Sequence, residues 1–251
     1  MGIIIYCILL VKRDTEKLNS LLNDIKGISN TDLFAISSNE IAVVVSDIEK
    51  HGLTADRSNT LKYASVVEQI FQQFALLPMR FGSVIESREM VTKLLERNYI
   101  EILQNLYKVE SKYEFGLKVF CDSGKLKEEL IEKSSDNIQA PVKTVPEIKR
   151  SVFRDYVDKK LREHKLEELM LAYVDQVISK ITTYLSMFNS VNKFRKMVTE
   201  TTILDAIFLI DKDHKSAIIH AVDDLQGQYP TLNFILTGPW PPYNFVEITL
   251  K

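Results

Sequence analysis

Three prolines within four residues, Pro239, Pro241 and Pro242, flank the only tryptophan of this 251-residue chain, Trp240. Each proline holds φ at about −65° and lacks an N–H, which bars residues 236–246 from a helix and from a central strand ladder. Before this stretch, Phe234, Ile235 and Leu236 read as a buried strand. After it, Phe245, Val246, Ile248 and Leu250 read as another. The stretch is therefore predicted to be a stiff connection between two strands, with Trp240 and Tyr243 held in nearly fixed positions. Two readings stay open for it. It is either a rigid loop packed on its own domain or a preorganised aromatic contact site, since rigid Trp and Tyr lose little entropy on binding.

The remaining chain predicts mixed helix and strand. Residues 3–11 are rich in Ile and Leu, as in a strand buried on both faces. Asp14 is a candidate N-cap for a helix carrying Leu18, Leu21, Leu22 and Ile25 and stopped by Gly27. Residues 33–37 and 40–47 read as two strands joined by Ser38 and Asn39. Residues 61–74 set out a second amphipathic helix, and residues 76–85 return to strand, with Pro78 near the start where a missing N–H is tolerated. The order β-α-β-β-α-β is the ferredoxin-like split pattern. Residues 1–110 are predicted to form that domain, closed by an extra helix from the N-cap candidate Ser87 towards Val109.

Residues 111–251 are predicted to form a second α+β domain, with a long helical segment, a small sheet and the Trp-Pro-Pro loop. A strand at 115–120 and a short helix at 125–133 precede a polar stretch, 134–146, whose Pro141 and Pro146 suggest a flexible excursion. No proline or glycine occurs in residues 147–189. Their apolar residues recur at spacings of three and four, as in a long amphipathic helix, with a break expected near His164. A strand at 203–210, a turn at 211–214 and a helix capped by Asp213 and ended by Gly227 follow. The fold class is thus α+β in two domains.

Bulk properties narrow the function. A net charge of −2 gives no global attraction to nucleic acid or an anionic membrane. Cys7 and Cys121 sit in apolar strand-like runs without metal-ligand spacing, as free thiols do in a reducing cytosol. Residues 3–11 are too short to span a bilayer and lack the flanks of a signal peptide, so a cytoplasmic protein is expected. Eight glycines form no phosphate-cradling loop. Of the four histidines, His214 and His220 lie near Asp211, Asp213, Asp223 and Asp224. Short acidic loops and helix caps account for that composition without a metal. No catalytic constellation, cofactor site or metal site is read from the chain, and no enzyme activity is expected. Arg80 interrupts the apolar run around Met79 and Phe81, where a charge must reach solvent or find a partner. An ion pair at the sheet edge and a partner-facing guanidinium are both open.

Two runs carry a resemblance that spans nearly the whole chain. LTGPWPPYNFVEI at 236–248 resembles the C-terminal signature of the gas vesicle protein F and L family, and LPMRFGSV at 77–84 resembles its N-terminal signature. IIIYCIL at 3–9, EIAVVVSDI at 40–48 and YEFGLKVF at 113–120 agree in order. One departure is visible: the family often carries a histidine in the helix before the first signature, where this chain has Tyr63. No role of that histidine carries over. The resemblance implies two α+β domains and an accessory role in gas vesicle assembly, in the cytoplasm and in association with the vesicle. The implied partners are the hydrophobic major shell protein and other accessory proteins, with no nucleic acid and no membrane insertion. The candidate contact residues are Met79, Arg80, Phe81, Trp240 and Tyr243. A small-molecule-sensing regulator on a ferredoxin-like scaffold is the rival reading. Single-strand RNA binding is disfavoured by the aliphatic runs at 3–5 and 43–45, where a stacking platform would need aromatics.

Overall fold

The computed structural model describes residues 2–12, 14–49, 53–138, 152–188, 191–196 and 201–246. They fall into two compact units, neither continuous in sequence. The first unit holds Met1–Phe115, Leu209–Lys215 and Gly238–Lys251; the second holds Gly116–Phe208 and Ser216–Thr237. The Trp-Pro-Pro segment thus belongs with the N-terminal residues.

In the first unit the apolar run at the start forms β1 (Gly2–Leu10), buried at every position. Helix α1 (Thr15–Asp24) turns Leu18 and Leu22 into the core. It ends at Asp24, before the expected Gly27, because Ile25 is already extended. Asp14 occupies the N-cap position without a side-chain capping bond. Strands β2 (Phe34–Ser38) and β3 (Ile41–Ile48) form a hairpin, with Asn39 at φ 52° in the turn, a conformation that asparagine tolerates. Helix α2 (Arg57–Phe71) is capped by the Asp56 side chain, which accepts from the Asn59 N–H.

The single strand expected at 76–85 is two strands, β4 (Leu76–Pro78) and β5 (Val84–Ile85), both antiparallel to β1. Between them Gly82 takes φ +86° and the chain turns. The single helix expected from Ser87 is likewise two, α3 (Arg88–Arg97) and α4 (Tyr99–Val109). They are separated by Asn98, a buried residue at non-helical φ/ψ whose side chain donates to the Leu94 carbonyl. Ser87 does cap α3, through the Met90 N–H. The sheet order is β2-β3-β1-β4, with β5 also on β1. A register shift between Ile5 and Cys7 places a bulge at Tyr6.

The second unit holds most of a four-stranded sheet ordered β7-β8-β6-β9, whose residues 112–115, 209–211 and 238–240 fall in the first unit. Its strands are β6 (Lys112–Cys121), β7 (Val191–Lys196), β8 (Thr202–Asp211) and β9 (Leu232–Trp240). The helices between them are α5 (Ser123–Ile138), α6 (Val152–Ser186) and α7 (Lys215–Gln228). Helix α6 runs through His164 without the expected break, since it contains no proline or glycine to cause one. It buries Val174, Val177, Ile178, Ile181 and Leu185, and α7 buries Ile218, Ala221, Val222 and Leu225. Gly227 lies inside α7 rather than ending it. Strand β7 had no sequence expectation. Of the polar stretch 134–146, residues 134–138 continue α5 and the rest lie outside the described residues, as do Ile248 and Leu250.

Strand β9 runs on past Leu236 to Trp240 and includes Pro239, after a cis Gly238–Pro239 bond. A proline is accommodated because β9 is an edge of its sheet. Phe245, expected in strand, lies in a turn, and Val246 follows it.

Candidate functional site

The site is built around Tyr63, which α2 presents to the bulge in β1. Its hydroxyl lies 2.9 Å from the Ile5 carbonyl oxygen, 3.0 Å from that of Tyr6 and 2.9 Å from that of Met79. The bulge and the turn after β4 make these three acceptors converge. The Tyr63 ring stacks on Tyr6 at 5.0 Å between centroids and meets the Phe81 ring edge-on at 5.4 Å. Burial, with Cys7, Tyr243 and Tyr6 nearby, pushes the Tyr63 hydroxyl well above the usual tyrosine range, so it is a neutral donor.

The turn between β4 and β5 is thereby fixed at several points. The Met79 N–H donates to the Tyr6 carbonyl at 3.0 Å, and the Ser83 hydroxyl and N–H both donate to the Arg80 carbonyl, at 2.8 and 3.1 Å. Met79 and Phe81 are half-buried and Arg80 is exposed. Among the described residues, no carboxylate lies within ion-pair distance of the Arg80 guanidinium.

The C-terminal segment reaches the same neighbourhood. Its tight turn is closed by the Tyr243 N–H to the Pro241 carbonyl at 2.7 Å and the Phe245 N–H to the Pro242 carbonyl at 3.3 Å. Pro241, Pro242 and Phe245 are buried, while Trp240 and Tyr243 are each 41% exposed. Burial first, then Glu68, Cys7 and Glu114, push the Tyr243 hydroxyl up to about 12. Glu114 on β6 is 4% exposed. Its Oε2 accepts from the Asn244 N–H at 2.8 Å and its Oε1 from Asn244 Nδ2 at 2.6 Å.

Tyr63 thus touches Phe81 and Met79 of one segment singled out in the sequence, and Tyr243 of the other lies near enough to act on its hydroxyl. Glu114, Asn244 and Tyr63 went unassigned in the sequence reading. A glutamate in a strand that alternates reads as solvent-facing, and Tyr63 stood out only as the residue in place of the family's frequent histidine, with no role attached. The histidines and acids near residue 214 form no comparable centre. Among the described residues, no group of three or more His, Cys, Asp or Glu side chains could hold a metal ion. No described helix is long and apolar enough to cross a membrane.

This α+β architecture is shared with a solved gas vesicle protein. The crystal structure of GvpF from an Anabaena species superposes with a TM-score of 0.74 at 19% identity, covering 99% of this chain and 97% of that one. The family model for gas vesicle synthesis protein GvpL/GvpF matches residues 2–247, so the chain belongs to that family. Among its relatives, gas vesicle protein F1 of Halobacterium salinarum is 22% identical over 90% of this chain and 86% of its own length. Gas vesicle protein F of a Streptomyces species is 25% identical over 82% of this chain and 84% of its own.

Proposed function

We propose that the chain is an accessory protein of gas vesicle assembly that binds the small, hydrophobic major shell protein, with other accessory proteins as further partners. In this reading it acts in the cytoplasm, without catalysis, before or during shell formation. A shell subunit that must exclude water on one side exposes aggregating apolar surface as a free chain, and a soluble partner that covers it keeps it competent to assemble. The contact surface is assigned to Met79, Arg80, Phe81, Trp240 and Tyr243. The observation that supports this assignment is that both signature segments come near Tyr63, with Arg80, Trp240 and Tyr243 exposed. Aromatics held this way bind at low entropic cost.

The scaffold proposed for this role is a ferredoxin-like domain at residues 1–110 followed by a second α+β domain whose last segment returns to the first. Element order and the strand order β2-β3-β1-β4 support the ferredoxin-like reading. The test of the function is co-purification from cells making vesicles. The major shell protein should accompany the wild-type chain, and its recovery should fall in Tyr243→Ala and Arg80→Ala variants of unchanged stability. Undiminished recovery in both variants would remove this surface; no recovery with the wild-type chain would remove the partner.

A further inference from the structure

Glu114 grips the exposed aromatic segment from both ends. At the near end, a Cβ built on Gly238 would lie 2.8 Å from the Glu114 carbonyl oxygen, so the two backbones touch near the end of β9. At the far end, both carboxylate oxygens are used, each on a different N–H of Asn244. Trp240 and Tyr243 lie between these two points of attachment. The Lys108 ammonium adds a longer contact, 3.5 Å, to the Phe245 carbonyl.

A carboxylate is a costly group to bury, and it is kept only where it is satisfied by hydrogen bonds. Here the carboxylate offers acceptors at both oxygens, whereas glutamine would turn an NH2 towards one of the two Asn244 donors. The exposed part of this arrangement is the segment itself, and the buried part is the residue that fixes it.

We propose that Glu114 is a positioning residue for the contact surface: by holding Asn244 twice, it fixes how Trp240 and Tyr243 are presented to the partner. This rests on the reading that the aromatic segment contacts the major shell protein.

The experiment uses the full chain and two independent readouts. Trp240 is the only tryptophan, so quenching of its fluorescence and hydrogen exchange at residues 243–245 report the segment without any partner. Co-purification with the major shell protein reports binding. Glu114→Gln should raise both quenching and exchange and lower shell-protein recovery about tenfold or more, as for loss of a buried hydrogen bond. Asn244→Ala breaks the side-chain bond from the exposed partner and should act in the same direction if Glu114→Gln folds poorly. The double variant Glu114→Gln with Asn244→Asp reverses donor and acceptor across the side-chain bond, and it should restore both readouts substantially. Unchanged quenching and exchange in Glu114→Gln and Asn244→Ala overturn the proposal. So does a loosened segment with full recovery, provided Trp240→Ala and Tyr243→Ala do lose the shell protein. If those two aromatic variants also keep full recovery, the contact reading itself fails and the proposal falls with it.

Discussion

The hydroxyl of Tyr63 has one proton and three carbonyl oxygens within 3.0 Å. It cannot satisfy all three equally, and its ring adds a stack on Tyr6 and an edge contact with Phe81. Tyr63→Phe keeps the rings and removes the hydroxyl proton that these carbonyls share, while the Tyr6 carbonyl keeps the Met79 N–H. Its expected cost is about 1–2 kcal/mol, the loss of one buried hydrogen-bond donor. Denaturant unfolding at unchanged m-value checks it. Tyr243 supplies a second test at this scale. Its hydroxyl is raised from 10.0 to about 12 in the folded chain. The folded state therefore holds this proton through a window in which the unfolded state has lost it. Stability from this group is full below about 10 and is lost as pH rises towards about 12. Unfolding measured across that alkaline window should show a decline that Tyr243→Phe reduces. An identical decline in that variant would mean that the tyrosine is not the group responsible.

Elements depart from their local signals where a tertiary contact overrides them. Gly238 shows how tightly one such place is built: it sits at φ +120°, with Glu114 and Phe115 atoms 2.8 and 3.0 Å from where a Cβ would stand. Gly238→Ala adds both a disfavoured backbone state and a clash with backbone, so roughly 1–3 kcal/mol of stability should be lost, measured by thermal or denaturant unfolding. A neutral outcome would mean that β9 can shift away from β6 at this point. The long apolar run of β1 and the Asn39 turn were legible because burial on both faces and a left-handed turn each leave a local mark. The turn at Arg80–Gly82 was not, because the run around it stays apolar and the Met79 carbonyl is captured by a residue sixteen positions earlier. Gly227 misled for a similar reason. The side chain of Gln226 donates to the Leu232 carbonyl at 2.7 Å and accepts from the Phe234 N–H at 3.0 Å, tying the last turn of α7 to β9. Pro239 signalled an interrupted strand, but an edge strand loses nothing by lacking an outward N–H. Within the site, the aromatics and Arg80 stood out by composition, whereas the buried carboxylate beneath them left no local trace.

At the scale of the whole molecule, the first unit is completed by chain from far downstream. Leu209–Lys215 brings Asp211 to an ion pair with Lys112, and sets the Lys212 ammonium over the rings of Phe71 and Tyr113, 5.0 and 5.1 Å from their centroids. Gly238–Lys251 brings Phe245, 1% exposed, and the two Asn244 donors that satisfy Glu114. A chain ending at Thr237 would lose the last of these segments while keeping every residue of the second unit. The consequence follows from what stays behind. Phe245 leaves a cavity, for which large aromatic truncations cost about 3–5 kcal/mol, and Glu114 keeps a buried carboxylate without its Asn244 partners, which adds to that loss. The first unit should therefore be the one that weakens. Hydrogen exchange resolved by segment is the measurement, because a single melting temperature would average the two units. Amides of β1 and β3 should exchange much faster in the truncated chain, while those of α7 keep their wild-type protection. Equal loosening of α7 would mean that the two units unfold together. Unchanged protection in β1 would mean that the returning segment is an attachment to the first unit and not part of its core.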